Sequence, residues 1–232
     1  MDAKRGFVPE DERNFSTENL DKLRIASRHI QYLINEGYDL KQAGTFVGNH
    51  FLLSERQRLA VVRSIATGEQ LEKRREKELA IDSLSGKKVW IDGFNTVITL
   101  EVMLSRSILL ECMDGTIRDL AALRGTYRLI PETPEAVRRM FDVLKEAGIN
   151  EAIIFLDEPV SNSGRLKTLI AGAGETYPFS LDIRIQKSVD RELYHKDCVI
   201  SSDSIVLDHC VSWFNLTAEC LKNYKVPVAR VW

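Results

Sequence analysis

The 232-residue chain is 44% hydrophobic and 28% charged, with a formal net charge of −2. It holds enough apolar material for a full buried core, in one large domain or two smaller ones, and too little positive charge for a global nucleic-acid field. Apolar runs such as Ala152 to Leu156 are far too short to span a bilayer, and MDAKRGFVPEDERN lacks the apolar stretch of a secretory signal, so a cytoplasmic protein with no membrane contact is expected.

The first seventy residues read as an all-α module. Ser16 or Thr17 can cap a helix whose apolar positions Leu20, Leu23, Ile25, Ala26, Ile30, Leu33 and Ile34 keep a 3.6-residue period and end at Gly37. A second helix is expected over Leu40 to Val47, before Gly48 and Asn49, and a third from Ser54 with Gly68 as its stop. Residues 71–86 are strongly charged and suit a linker or helical extension that ends near Ser85 and Gly86. Within residues 54–77 Lys and Arg exceed Glu by three. That excess suits either a solvated helix face with pairs such as Glu69 and Lys73, or a phosphate track through Arg56, Arg58 and Arg74.

Beyond Gly86 the pattern changes to alternating strands and helices. Lys88 to Asp92 reads as a strand, Phe94 to Ser105 as a helix, and Ile108 to Cys112 as an apolar stretch ending in a turn-like MDG. A short helix is expected over Thr116 to Leu123, and another from Pro134 to Lys145 with Thr133 as cap and Gly148 as terminator. AIIFLD is a buried-strand signature; a helix over Ser163 to Ala171, the half-exposed strand LDIRIQ and a short helix around Val189 to Tyr194 follow. The strand CVISS, a helix from Ser204 to Leu221 and the strand VPVARVW close the run. Such alternation predicts an α/β domain over 87–232, with a mainly parallel sheet covered on both faces.

Four aspartates sit where strands should end: Asp92 in VWIDGFN, Asp157 in IIFLDEP, Asp190 in KSVDREL and Asp203 in VISSDS. Carboxyl ends of parallel strands share one rim, and carboxylates gathered there repel one another unless a cation sits among them. Oxygen donors of this kind suit Mg²⁺ or Mn²⁺. Asp and Asn also favour turns and helix caps, so each of the four has an ordinary structural reading as well. In PVSNSG, residues Asn162, Ser163 and Gly164 precede a helix and could present backbone N–H groups to phosphate, with Arg165 and Lys167 adding charge, or could form a capped turn. His29, His50, His195 and His209 show no ligand spacing, and Cys112, Cys198, Cys210 and Cys220 form no C-x-x-C pair and read as reduced thiols. DGTIRD lacks the nucleophilic Asp of a haloacid-dehalogenase phosphatase because Cys112 stands there, and AGAGET makes a poor dinucleotide loop.

The order VWIDGFN, IIFLD, SVDREL, VISSD over roughly residues 87–210 resembles the PIN/NYN-like nuclease superfamily. The resemblance implies a three-layer α/β domain and a Mg²⁺- or Mn²⁺-dependent ribonuclease. It places Asp92, Asp157, Asp190 and Asp203 at the metals, with Asn95 as a polar neighbour of Asp92. The segments from Arg28 to Arg63 and LDEPVSNSGRL also look like a pair of conserved domains of unknown function fused in this order, a likeness that supplies no activity. PVSNSG departs from ordinary NYN enzymes. Within this reading Ser202, Ser204 and Asp208 orient the acidic groups and RNA is the partner, while the helical module could pair a homodimer or bind another protein. A non-catalytic RNA- or protein-binding adaptor and a small-molecule phosphohydrolase are the rival functions.

Overall fold

The structure is a computed structural model describing residues 4–121, 123, 125–222 and 224–232. Helix α1 (Asp11–Asn14) leads into α2 (Thr17–Asn35), which Ser16 caps by accepting the Asn19 N–H at 3.4 Å. Asp39 caps α3 (Leu40–His50), and Ser54 and Gln57 form a reciprocal capping box on α4 (Glu55–Ser64). Each such cap is worth about 1 kcal/mol. Two glycines act differently from expectation. Gly48 lies inside α3, where a Cβ would come within 2.6 Å of the Arg58 guanidinium, so it serves close packing of α3 on α4 and not termination. Gly68 opens a further helix, α5 (Gly68–Lys77), because Thr67 and Gln70 make a second capping box just before it.

A 3₁₀ turn (Ile81–Leu84) leads to β1 (Lys88–Asp92), α6 (Gly93–Leu104), β2 (Leu109–Glu111) and β3 (Ile117–Asp119). Helix α7 (Thr133–Glu146), β4 (Glu151–Asp157), α8 (Ser163–Gly174), β5 (Ser180–Gln186), α9 (Val189–Leu193) and β6 (Val199–Ile200) follow. Helices α10 (Ser204–His209) and α11 (Leu216–Leu221) and strand β7 (Val228–Ala229) complete the chain. Four strands form a parallel sheet in the order β5-β4-β1-β6. The side chains of β1 and β4 alternate between two cores, as a period of two requires. Val89, Ile91, Ala152, Ile154 and Leu156 join the core of α6, α7 and α8, while Trp90, Ile153 and Phe155 face Val189, Leu193, Val206 and Trp213. The result is a three-layer α/β domain preceded by an all-α region.

Three expectations need correction. Thr116 to Leu123 is not a helix, residue 122 lying outside the described set; β3 returns antiparallel to β2 because Asp114 and Gly115 (φ 79°) form a hairpin turn. The helix expected from Ser204 to Leu221 breaks into α10 and α11. Between them Trp213 is fully buried, donates its indole N–H to the Arg74 carbonyl at 2.8 Å and exchanges backbone bonds with Lys77 and Leu79. Strand β7 does not extend the parallel sheet but pairs with β2 in a separate sheet ordered β3-β2-β7.

That small sheet joins the two halves. Leu110, Cys112, Leu120, Ala229 and Val231 share one core with Leu23, Ala26, Ile30, Val47 and Val61 of the helical region. Ser27 also donates to the Val231 carbonyl at 2.6 Å. In the α/β part, buried Glu101 accepts from Arg5 and Tyr127 at 2.8 and 2.7 Å and from Thr133, clamping the N-terminal segment onto α6. All four cysteines are buried and unpaired.

Candidate active site at the sheet rim

The connections from β1 to β4 to β5 run one way across the sheet, and β6 lies on the other side of β1. The order therefore reverses between β1 and β6, where open α/β sheets place their ligand crevices. Asp92 is the last residue of β1, and Ile91 lies level with Ile200, so Asp92 lies beside Ser201. Gly93 permits this arrangement: a Cβ there would come within 2.7 Å of the Phe155 carbonyl oxygen, so only glycine lets α6 start directly against β4.

Two pairs of residues stitch the exits of β1 and β6 together. Ser201 donates its hydroxyl to Asp92 Oδ2 at 2.9 Å and accepts the Asp203 N–H at 3.1 Å. Asn95 Oδ1 accepts both the N–H and the hydroxyl of Ser202, at 2.8 and 2.9 Å. Asp92 Oδ1 caps α6 by accepting the Asn95 N–H at 3.3 Å. On the neighbouring strand, Phe155 is level with Asp92, which leaves Asp157 two residues, roughly 6–7 Å, farther toward the rim. Asp157 Oδ1 accepts the Val189 N–H at 3.5 Å, which sets the start of α9 and with it Asp190. Asp203 caps α10 through Oδ1, accepting from Ile205 and Val206 at 2.8 and 3.3 Å.

Of the four aspartates that the sequence singles out, Asp92 and Asp190 each lie within electrostatic reach of Asp157 and Asp203. Burial pushes the Asp92 carboxyl up to about 8, and the charges of Asp203 and Asp157 add to that rise. Asp190 is raised by partial desolvation and then by Asp203 and Asp157, and Asp157 by desolvation. None of the four has an ion-pair partner among the described residues. Neither does any group of three or more His, Cys, Asp or Glu among those residues stand ready to hold one ion.

The other sequence-derived candidates divide. Ser202 touches Asn95 as described, whereas Ser201, which the sequence reading passed over, is the residue that touches Asp92. The two serines of VISSDS differ only in facing opposite sides of an extended segment. Ser204 begins α10 and lends its carbonyl to Arg74 at 3.4 Å. Asp208 faces away from the rim aspartates into a fork with Arg74, at 2.7 and 2.9 Å, and accepts from Gln70 at 3.0 Å. Arg74 is 2% exposed and also binds Asp114 at 2.7 Å, so it is an internal tie and not part of a phosphate track. Arg56 is likewise engaged by Asp11 and by the carbonyls of Gly6 and Leu120, and Arg58 by the carbonyls of Leu53 and Thr45. The Arg56 charge is met by Asp11, whereas Arg58 is partly exposed and has no ion-pair partner among the described residues.

In PVSNSG, Asn162 stands at the start of α8 in a left-handed conformation (φ 63°) and donates to the Tyr127 carbonyl at 2.7 Å, and the Ser161 hydroxyl also bonds Tyr127, so neither Ser161 nor Ser163 caps the helix. Ser163 and Gly164 open α8, and Arg165 and Lys167 are exposed on it. The residues of AGAGET fall in and just beyond the last turn of α8, where Gly174 packs on Leu181. Asp114 of DGTIRD is a buried hub: Arg118 and Arg74 bind it at 2.6 and 2.7 Å and hold its carboxyl below the ordinary range against the cost of burial.

A cleft of about 410 Å³ opens beside the rim, between α4 and α5 on one side and Asn95, Ser202 and Asp203 on the other. Arg118 spans its base, donating to the Ser202 carbonyl at 2.7 Å and to the Arg63 carbonyl.

Residues 81–219 match the family described as Domain of unknown function (DUF5616), and residues 22–77 match the one described as Protein of unknown function (DUF434). An uncharacterised protein of Methanocaldococcus jannaschii is 31% identical over 182 residues, covering 78% of this chain and 87% of that protein. No solved structure matches the chain.

Proposed function

The chain belongs to the DUF5616 family, and from its rim side chains we propose that it is a metal-dependent ribonuclease, hydrolysing phosphodiesters in RNA with Mg²⁺ or Mn²⁺. The observation that carries this reading is that Asp92 and Asp190 each lie within electrostatic reach of Asp157 and Asp203, with no Lys or Arg ion-paired to any of the four among the described residues. Clustered carboxylates of this kind cost stability, a cost that a bound cation would offset. The resemblance to PIN/NYN nucleases supplies the reaction type.

The donor set fits a hard divalent ion, being all oxygen and partly free. Asp203 Oδ2 and Asp157 Oδ2 have no partner among the described residues, and Ser201 fixes the orientation of Asp92. With no group of three such ligands among the described residues, one or two carboxylates would hold the ion and water would fill its shell, the usual manner of Mg²⁺. Asp92, Asp157, Asp190 and Asp203 would hold it directly or through water. The chemistry a divalent ion would supply when held there is a bound water of lowered pKa and stabilisation of charge on the departing oxygen. Asn95 and Ser202 keep the two strand exits at a fixed spacing, so the carboxylates need not reorganise as negative charge builds up. Arg165 and Lys167, exposed at the start of α8 beyond Asp157, would meet flanking phosphates.

The experiment is cleavage of an end-labelled RNA in Mn²⁺. Asp92→Asn or chelation is expected to lower the rate at least a hundredfold while the variant keeps its melt; equal rates in all three samples refute the proposal.

Exposed Tyr38, Phe46 and Leu52 on the helical region favour a second reading, an adaptor without turnover in which they meet a protein partner or a second copy. A melting temperature unmoved by Mn²⁺ supports this reading. In either case, four reduced thiols suit the cytoplasm, and no described helix is long and apolar enough to cross a membrane.

A further inference from the structure

We infer that the cleft beside the rim seats one nucleotide unit of a single RNA strand, and that Arg63, supplied by the helical region, holds its phosphate. The inference rests on the ribonuclease reading for its substrate class and deepens it by naming the substrate grip.

The cleft's volume, about 410 Å³, falls within the roughly 300–1,000 Å³ of small-ligand sites. Its lining has three chemically distinct parts. Asn95, Ser202 and Asp203 form a polar wall shared with the acidic site, so a group seated here lies next to the bond to be cut. Leu40, Val62 and Ile205 form an apolar shelf, with Ile205 51% exposed, suited to the face of a base or a ribose. The third part is cationic. Of the three arginines lining the cleft, Arg74 is consumed by Asp114 and Asp208, and Arg118 by Asp114 and two carbonyls. Arg63 differs. Its side chain is 37% exposed, and Nη1 donates to the Asp119 carbonyl at 2.6 Å, which fixes the guanidinium plane. Nε and Nη2 have no partner among the described residues. The Asp119 carboxylate lies 3.9 Å from Nη1 and is already bonded by Thr99 at 3.0 Å and the Ala121 N–H at 2.7 Å. An anchored guanidinium with two free donors, beside an apolar shelf and a polar wall, matches a nucleotide's phosphate and ring better than it matches an inorganic anion.

The test is fluorescence anisotropy of a labelled single-stranded oligouridylate on the full chain in chelator, where cleavage cannot intervene. Arg63→Ala is expected to weaken binding about tenfold and to lower the slope of log affinity against log salt by about 0.7, the loss of one phosphate contact. Val62→Phe, which fills the shelf without changing charge, is expected to weaken binding while leaving that slope intact. Arg184→Ala, on the distant β5 edge where the Arg184 side chain pairs with Asp182, is expected to change neither. Unchanged affinity and slope in folded Arg63→Ala, or loss equalled by Arg184→Ala, overturns the inference. Mn²⁺-dependent cleavage separates the two readings. If binding depends on Arg63 but no cleavage occurs, the seat stands and the hydrolase falls. If cleavage depends on Asp92 while Arg63→Ala binds and cuts normally, the seat falls and the hydrolase stands.

Discussion

Replacing Asp114 with asparagine should unsettle the joint between the helical region and the α/β domain. Asp114 Oδ2 accepts from Arg74 Nη1 at 2.7 Å and Arg118 Nη2 at 2.6 Å, with the Asp114 side chain 2% exposed. Oδ1 accepts from Thr116, N–H at 3.2 Å and hydroxyl at 2.6 Å, and can keep doing so as an amide oxygen. The variant thus loses two charge-assisted bonds and turns an NH₂ group toward two guanidiniums. Arg74 retains Asp208, and Arg118 retains its two carbonyls, so neither cation is left bare. Two such bonds, in a site too buried for solvent to screen, amount to about 3–5 kcal/mol. That is a large part of the roughly 5–15 kcal/mol that holds a domain folded. Because the folded state depresses the carboxyl below its value in the unfolded chain, the stabilisation is complete above that value, near 4, and disappears as pH falls through the folded one. Urea unfolding of both proteins at pH 7, 5 and 3 measures it. The difference should be equal at pH 7 and 5 and smaller at pH 3. A difference below about 1 kcal/mol at pH 7, or one already fading by pH 5, would refute the account of this joint.

Two structural predictions stand beside the tests of Asp92 and Arg63. Gly93→Ala should cost about 1–3 kcal/mol in a denaturant melt, since its Cβ would come within 2.7 Å of the Phe155 carbonyl, which cannot turn aside as a side chain could. A wild-type midpoint would show that α6 can move away from β4. Residues 87–232 expressed alone should bind a hydrophobic dye and unfold without cooperativity, because Leu110, Leu120, Ala229 and Val231 lose the helical half of their core. A sharp melt from that fragment would show the two parts to be independent.

The elements most legible in the sequence were those with a local cause. Strands β1 and β4 announce themselves as apolar runs, α7 by Pro134 and α4 by Ser54. What sequence could not show was pairing over long distances. Arg74 looks like a surface cation within a charged helix until Asp114 and Asp208, 40 and 134 residues away, are brought to it. The break after α10 has no local signal because the apolar spacing continues through Trp213, whose indole is drawn to the Arg74 carbonyl instead. Asp92, Asp157 and Asp203 are readable as residues at strand ends, which in a parallel sheet share a rim. Ser201 is not, since adjacent serines are indistinguishable until the strand's facing is known. Arg63 was hidden in the same way: its value lies in what its neighbours have already spent.

Arg118 reaches Arg63 on one flank of the cleft and Ser202 on the other, and Asp114 secures it from below. A brace across the root of a notch keeps the notch from flexing, so the gap between the two flanks has a single setting. Ligands would be sorted by girth as they enter, and no free energy would go into shutting the protein around them.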